Sequence, residues 1–271
     1  MSTAERVAAP AAVVGPDGLA HSSVGDGPPL LLVHGAAEDA RMLAPQAAAF
    51  AARGRRVITY DRRGTGSSTR EGWPDGGVAR HADDAAALLR SLGAAPAAVL
   101  GLSSGGVVAL ALAARHPDVV TEVVAWEPAA LGMLPGAAEM HAGITAPIDA
   151  HLAARPGDWA GAYDVMLGVL SGGDVDLGSP AVAAQRVNAE AALRDDARII
   201  TLHAFVPGEL PADRVSVAVG TGVSPLLTAV AETLGAELGR PALVVADADE
   251  HEIYLTRPEV LAAALAGRWE S

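Results

Sequence analysis

Residues 97–106 read Ala97-Ala98-Val99-Leu100-Gly101-Leu102-Ser103-Ser104-Gly105-Gly106, a short apolar run followed by glycines and serines. The run from Ala97 to Leu100 predicts a buried strand, and a helix is predicted from Gly105 to Arg115. A G-x-S-x-G pentapeptide between a strand and a helix is typical of a nucleophile elbow, in which small residues let the backbone turn sharply and expose the serine hydroxyl. The sequence therefore predicts that Ser103 is a nucleophile, and a glycine-rich loop with incidental serines is the alternative.

Two backbone amides are predicted to flank this serine. The amide of Ser104 lies at the start of the predicted helix, where unpaired N–H groups and the helix dipole favour negative charge. An earlier apolar run, Leu30 to Val33, ends at His34-Gly35-Ala36. We predict that the Ala36 amide is the second donor to an oxyanion, and that His34 has a structural role.

Apolar runs that predict strands alternate along the chain with Ala-rich periodic segments that predict helices. The first two strands are joined by Gly15-Pro16-Asp17-Gly18, a sequence typical of a tight turn, and form an antiparallel edge. Alternating strands and helices indicate a parallel sheet covered on both faces. The predicted strands are Val7–Val14, Leu19–Val24, Leu30–Val33, Arg56–Tyr60, Ala97–Leu100, Val120–Trp126, Arg214–Val219 and Ala242–Val245. The predicted fold class is α/β, with a mostly parallel central sheet flanked by helices.

The alternation stops between residues 129 and 213, where only helical stretches are predicted. These stretches lie near Glu139–Ala154, Trp159–Leu170 and Ala181–Leu193. We therefore predict an inserted helical cap, residues 129–213, on a core formed by residues 1–128 and 214–271.

Composition excludes several classes of function. A formal net charge of −13 argues against binding nucleic acid or an anionic membrane, because both need a surplus of Lys and Arg. The chain has no cysteine, so disulfides, thiolate metal sites and cysteine nucleophiles are excluded. The first six residues lack a basic region followed by an apolar stretch, and no later segment has the length of a membrane span. The sequence predicts a cytoplasmic protein that acts on a small molecule.

The segment Tyr60 to Ser68 follows a predicted strand and is rich in glycine and charge. A phosphate-binding P-loop would need a Lys followed by Ser or Thr after its second glycine, and a dinucleotide site needs a third spaced glycine. Neither pattern is present. We interpret the segment as a rigid charged turn beside the active site, and we predict no cofactor and no metal.

The motifs His34-Gly35, Asp61 to Ser67 and Gly101 to Gly106, together with the segment that begins at His251, resemble the α/β-hydrolase superfamily in order and spacing. The resemblance spans nearly the whole chain. Members of that superfamily place their catalytic histidine after the last strand, so the resemblance implies that His251 is the general base. The dehalogenases and epoxide hydrolases of this fold use an aspartate nucleophile, and Ser103 argues against both.

The acid of the triad departs from the usual pattern of the superfamily. The acid commonly follows the strand predicted at Arg214–Val219, but the loop from Gly220 to Pro225 holds no carboxylate. Glu127, which follows the preceding strand, is the predicted acid, and a capping carboxylate before Pro128 is the alternative. A carboxylate close to His251 remains a further candidate for the acid; these are Asp247, Asp249, Glu250 and Glu252.

A serine elbow, a glutamate after the earlier strand and an acid-free later loop together resemble the zearalenone lactonases, a fungal group that opens a macrocyclic resorcylic lactone. The resemblance is clearest in Gly101 to Ala109, His116 to Pro128, and the tail from Val217 through Val260. It implies the layout of the triad and not the substrate, because the cap does not match.

These features predict a serine hydrolase that cleaves a carboxylic ester or a lactone of a small molecule through an acyl-enzyme. Two alternatives stay open, because a fold does not settle a function. One is a non-hydrolytic enzyme of this fold, such as a cyclase, a lyase or a thioesterase-like enzyme of secondary metabolism. The other is a ligand-binding protein that has lost turnover. A homodimer is not excluded.

Large side chains in and near the predicted cap are candidates for lining the substrate pocket. Helical spacing of such residues is also typical of plain core packing. The candidates are Trp126, Met133, Trp159, Tyr163, Met166, Leu167 and His203.

Overall fold

The computed structural model describes residues 12–15 and 17–269. The strands are β1 Val13–Val14, β2 Ala20–Val24, β3 Pro29–Val33, β4 Arg56–Tyr60, β5 Ala97–Leu102, β6 Val120–Trp126, β7 Val215–Gly220 and β8 Leu243–Val245. The α-helices are α1 Ala44–Ala51, α2 Gly77–Ser91, α3 Ser104–Arg115, α4 Ala137–Ala154, α5 Trp159–Ser171, α6 Pro180–Gln185, α7 Ala189–Ala191, α8 Pro225–Glu237, α9 Ile253–Thr256 and α10 Pro258–Leu265. A π-helix at Ala192–Ile200 continues α7.

The strands form one eight-stranded sheet in the order β1-β2-β4-β3-β5-β6-β7-β8. Strands β1 and β2 are antiparallel, as are β2 and β4, and every later pair is parallel. Apolar side chains pack on both faces of this sheet in two clusters. This architecture confirms the predicted α/β class with its antiparallel edge.

The carboxyl ends of the parallel strands bring the predicted functional residues to one edge of the sheet. Leu102 at the end of β5 pairs with Trp126 at the end of β6, and Trp126 pairs with Ala218 in β7. Ser103, Glu127 and the loop after Gly220 therefore start at neighbouring points, which is where open parallel sheets bind ligands.

Several elements differ from the prediction in their bounds, most of them by one or two residues. Strand β5 runs to Leu102 rather than Leu100, with all six residues buried, because Gly101 and Leu102 complete the pairing with β6. The helix predicted at Ala181–Leu193 is divided into α6, a 3₁₀ turn, α7 and the π-helix, which ends only at Ile200. After Leu265, the end of α10, the chain continues as a 3₁₀ turn from Ala266 to Trp269. Of the first predicted strand, Val7 to Ala11 lie outside the described residues.

Helices α4 to α7 and the π-helix all lie between β6 and β7, in the segment predicted to form the cap. A small apolar cluster joins α4, α5 and the π-helix, and it includes Ile148, Tyr163 and Leu193. In the described part of the chain, none of the helices combines the length and apolar character needed to traverse a lipid bilayer.

Candidate active site

Ser103 lies in a sharp turn between β5 and α3, with φ 52° and ψ −119°. A Cβ on Gly101 would lie 2.4 Å from the carbonyl oxygen of Gly105, and a Cβ on Gly105 would lie 2.3 Å from the carbonyl oxygens of Val33 and His34. Real Cβ atoms do not approach so closely. The two glycines are therefore required for the close approach of β3, β5 and α3 that holds Ser103 in place.

Backbone strain is concentrated at this edge of the sheet. Among the described residues other than glycine, those with positive φ are Ala37, Ser103 and Glu127. Such conformations cost of order 1–3 kcal/mol each and persist where the surrounding structure fixes them, as it does at many functional sites. Each of these residues follows, or lies close to, the carboxyl end of a parallel strand.

Glu127 is fully buried and contacts His251 directly. Its Oε2 lies 2.6 Å from Nδ1 of His251, and its Oε1 accepts a 2.9 Å hydrogen bond from the amide of Gly220. The loop after β7 lacks a carboxylate, and Gly220, the last residue of β7, donates this amide to Glu127 instead. The two oxygens of Glu127 thus have different partners, which fixes the orientation of the carboxylate and places a hydrogen on Nδ1 of His251.

None of the four carboxylates close to His251 in sequence contacts its imidazole in the described part of the chain, and all but Asp247 have other partners. Asp249 forms an ion pair with Arg257, and Glu250 accepts a hydrogen bond from Thr256. Glu252 accepts a 2.8 Å hydrogen bond from Gln185 of α6. Of the candidate acids among the described residues, Glu127 is therefore the one that contacts the imidazole.

Ser103 and His251 line the same cavity. Within residues 12–15 and 17–269 the two side chains are not hydrogen-bonded to each other, and catalytic hydrogen bonds of this kind are often long before substrate binds. Ala36 and Ser104 line the cavity as well. Their amides donate to no acceptor in the described part of the chain, so both can bind an oxygen in the cavity.

Glu38 lies in the same loop as Ala36, and no sequence pattern predicted its role. The amide of Gly35 donates a 2.7 Å hydrogen bond to Oε2 of Glu38, and the Tyr254 hydroxyl donates a 2.7 Å bond to Oε1. Glu38 is only 1% exposed. Burial raises the pKa of Glu38 to about 7, against the opposing effect of the two hydrogen bonds.

This shift predicts how the stability of the protein depends on pH. Between pH 4.5 and about 7 the folded protein keeps the proton on Glu38 and the unfolded chain loses it, so Glu38 makes the folded state less stable as pH rises. From pH 5 to pH 8 the native protein should lose about 2–3 kcal/mol of unfolding free energy relative to Glu38→Gln. Urea unfolding of both proteins at several pH values measures this difference, and a difference that stays constant with pH would contradict it.

The charged turn after β4 has a structural role, as the sequence analysis inferred. Nε2 of His34 accepts a 3.1 Å hydrogen bond from the amide of Arg62, and burial followed by the Arg62 charge lowers the pKa of His34. The Asp61 carboxylate accepts bonds from the amides of Ala40 and Ser67. The bonds from Arg62 to His34 and from Ala40 to Asp61 join this turn to the loop after β3. The turn therefore helps to fix the position of the loop that carries Ala36.

The cavity beside Ser103 has a volume of about 610 Å³ and mostly apolar walls. It is bounded by the loops at the sheet edge, by α4 and α5, by the π-helix and by the start of α8. The residues that line it are Ala36, Ser103, Ser104, Ala129, Leu131, His141, Ile144, Met166, Leu170, Ala192, Asp196, Ala197, Thr201, Gly222, Ser224, Pro225, Leu226, Leu227 and His251.

Of the residues predicted to line a pocket, Met166 lines this cavity and the others do not. Trp159, Tyr163 and Leu167 pack within the apolar cluster of the cap helices, to which Met166 also belongs. Met133 packs against the main core, and its sulfur accepts a hydrogen bond from the amide of Phe205. His203 stacks edge-on against Phe205, with ring centroids 4.7 Å apart.

Trp126 also lies outside the cavity, and it contacts the loop that carries His251. The side chain is fully buried, and its Nε1 donates a 3.0 Å hydrogen bond to the carbonyl oxygen of His251. The indole therefore anchors the loop that presents the imidazole to Glu127.

A second polar cluster borders the cavity and was missed by the sequence analysis. Asp196, on the π-helix, accepts a 2.6 Å hydrogen bond from the hydroxyl of Ser104 and forms a 2.8 Å ion pair with Arg62. Both charged side chains are at least 98% buried. Burial raises the pKa of Asp196, and the Arg62 charge opposes this effect. No group of three or more potential metal ligands occurs within the described residues.

The comparisons with known proteins agree with the fold described above. Residues 28–147 match the α/β-hydrolase fold family, and the structure of an α/β hydrolase from Sphaerobacter thermophilus superposes with a TM-score of 0.66. That similarity covers 94% of this chain and 98% of the other, at 24% sequence identity. The chain has the α/β-hydrolase fold.

Two further proteins are similar to this chain. An uncharacterized hydrolase from Bacillus subtilis is 42% identical over 113 residues, which is 41% of each chain, so the match spans about two fifths of that curated relative. The structure of Est816, described as an N-acyl homoserine lactone degrading enzyme, superposes with a TM-score of 0.64 at 23% identity and covers 94% of this chain and 98% of that one.

Proposed function

We propose that this α/β hydrolase cleaves a carboxylic ester or a lactone of a small molecule, with Ser103 as nucleophile, His251 as general base and Glu127 as the acid. The observation that carries the proposal is the 2.6 Å contact between Glu127 and Nδ1 of His251 in the cavity that Ser103 also lines. A base oriented by a buried carboxylate next to a strained serine is the arrangement that activates a hydroxyl nucleophile.

In the proposed mechanism, Nε2 of His251 takes the proton of Ser103 as Oγ attacks the ester carbonyl. Glu127 stays ionised and stabilises the imidazolium, while the amides of Ala36 and Ser104 bind the oxyanion. The imidazolium then protonates the leaving alcohol. Water, activated by His251, attacks the acyl-enzyme and releases the acid, which restores Ser103.

The shape of the cavity supports a small, mainly apolar substrate. A volume of about 610 Å³ is in the range typical of small-molecule sites, and the walls hold few polar groups. The segment predicted as a cap supplies much of this wall, including Met166 and Leu170 of α5. We therefore propose that residues 129–213 act as the cap that selects the substrate.

The test of the proposal is the intact mass of the protein after reaction with a fluorophosphonate probe. We expect one adduct on the native protein and none on Ser103→Ala, because only an activated serine reacts with such a probe. Ser23→Ala, which removes a serine on β2 away from the cavity, is the matched control and should be labelled like the native protein. If the folded native protein forms no adduct, the non-hydrolytic and ligand-binding alternatives replace the proposal.

A further inference from the structure

Asp196 gives the cavity wall a carboxylate that the mechanism proposed above does not use. It is the only carboxylate among the described residues that line the cavity. Both hydrogen bonds of this side chain, from Ser104 and from Arg62, are accepted by Oδ1. Its Oδ2 accepts no hydrogen bond from the described part of the chain, although the residue is only 2% exposed. Because Asp196 lines the cavity, this oxygen is available to a ligand there.

The position of Asp196 is fixed by the chain around it. The neighbouring Asp195 accepts hydrogen bonds from Trp73 and His81 on the core side, at 3.0 Å and 2.6 Å. The two consecutive carboxylates lie on a π-helix, a conformation that is rare and that occurs frequently at functional sites. Asp196 is therefore held in place on both sides, and a ligand that bonds to it does not have to order a mobile side chain.

A second acceptor lies close to Asp196 on the same wall. His141 also lines the cavity, and its Nε2 lies 2.7 Å from the carbonyl oxygen of Ala197. Because a carbonyl can only accept, the hydrogen is on Nε2, and Nδ1 of the neutral ring is an acceptor. This part of an otherwise apolar cavity thus favours a ligand that carries a hydrogen-bond donor.

We propose that Asp196 binds a hydroxyl group in the acyl part of the substrate, so that the preferred substrates are esters or lactones of hydroxy acids. This inference rests on the function proposed above. The acyl group is bonded to Ser103 in the acyl-enzyme that links the two half-reactions, and the next residue, Ser104, contacts Asp196 directly. A neutral hydroxyl fits better than an ammonium group, because Arg62 already balances the charge of Asp196 and a second buried cation would have no partner.

The experiment compares two esters with the same leaving group, 4-nitrophenyl 3-hydroxybutyrate and 4-nitrophenyl 3-methoxybutyrate. The methoxy ester keeps the oxygen and lacks the donor. After correction for the rates of their spontaneous hydrolysis, we expect the native enzyme to favour the hydroxy ester in kcat/KM by about tenfold or more. Equal kcat/KM values on the two esters would overturn the inference and leave the proposed function intact, whereas no turnover of either ester by a protein that fluorophosphonate does not label would overturn both.

Asp196→Asn tests the residue itself. The amide can still accept from Arg62 through its oxygen, but its nitrogen then faces the cavity and can donate to a methoxy oxygen. We expect the preference for the hydroxy ester to fall by about tenfold in this variant. Because the readout is a ratio within one protein, a general loss of activity or of folded protein cancels.

Asp195→Asn is the matched control. It removes a buried carboxylate from the adjacent position of the same π-helix, outside the cavity lining, so it should disturb the helix comparably and keep the native preference. If Asp196→Asn keeps the native preference, or if Asp195→Asn loses it to the same extent, Asp196 does not select the substrate.

Discussion

Glu127→Gln is expected to lower kcat by about 10³–10⁴-fold while the fold is retained. The amide of Gly220 can only donate, so the oxygen of the new side chain must face Gly220 and its NH₂ group must face Nδ1 of His251. Nδ1 then has to be the acceptor, which moves the imidazole hydrogen to Nε2. In that tautomer His251 cannot take the proton of Ser103.

Glu122→Gln is the control for this substitution. Glu122 lies on the same strand, β6, and its carboxylate accepts a 3.1 Å hydrogen bond from Arg268, away from the cavity. We expect its kcat for a 4-nitrophenyl ester to be within a few-fold of the native value. Steady-state rates, with circular dichroism to verify folding, measure both. A kcat near the native value in Glu127→Gln would remove Glu127 from the mechanism.

The sequence predicted those parts of the fold and the site that depend on local patterns. Buried parallel strands appear as continuous apolar runs, so β3, β4, β5 and β6 were predicted within two residues of their ends. Because parallel strands end at one edge of the sheet, a residue that directly follows a strand was predictable as a neighbour of Ser103. Glu127, one residue after β6, was predictable for that reason, and the structure places it against His251.

Contacts between distant segments of the chain were not predictable in this way. Glu38 and Tyr254 are 216 residues apart, and Asp196 contacts Ser104 across 92 residues. The helical stretch predicted at Ala181–Leu193 stops short of Asp195 and Asp196, since nothing in the composition marks the change to a π-helix that turns these two residues inward. The large side chains of α5 were proposed as pocket residues because they are apolar, but the direction in which a cap helix faces depends on its packing against α4 and the π-helix.

Gly105→Ala is expected to lower the free energy of unfolding by about 3 kcal/mol or more. The new Cβ would lie 2.3 Å from two backbone oxygens, those of Val33 and His34. Neither can move without shifting the end of β3 out of the centre of the sheet. Since the same backbone continues to Gly35 and Ala36, the substitution should also displace the Ala36 amide and reduce fluorophosphonate labelling of Ser103. Urea unfolding and intact mass measure the two effects.

Gly168→Ala is the matched control for this prediction. Gly168 is also a helical glycine, in α5, and an added Cβ would meet open space among the described residues. We expect this variant to gain about 0.5–1 kcal/mol, because alanine loses less backbone entropy than glycine when a helix forms. The two substitutions add the same methyl group, so their opposite effects would isolate the contact between α3 and β3. An unfolding free energy of Gly105→Ala within 1 kcal/mol of the native value would mean that the elbow tolerates a side chain, and that its glycines do not determine the position of Ser103.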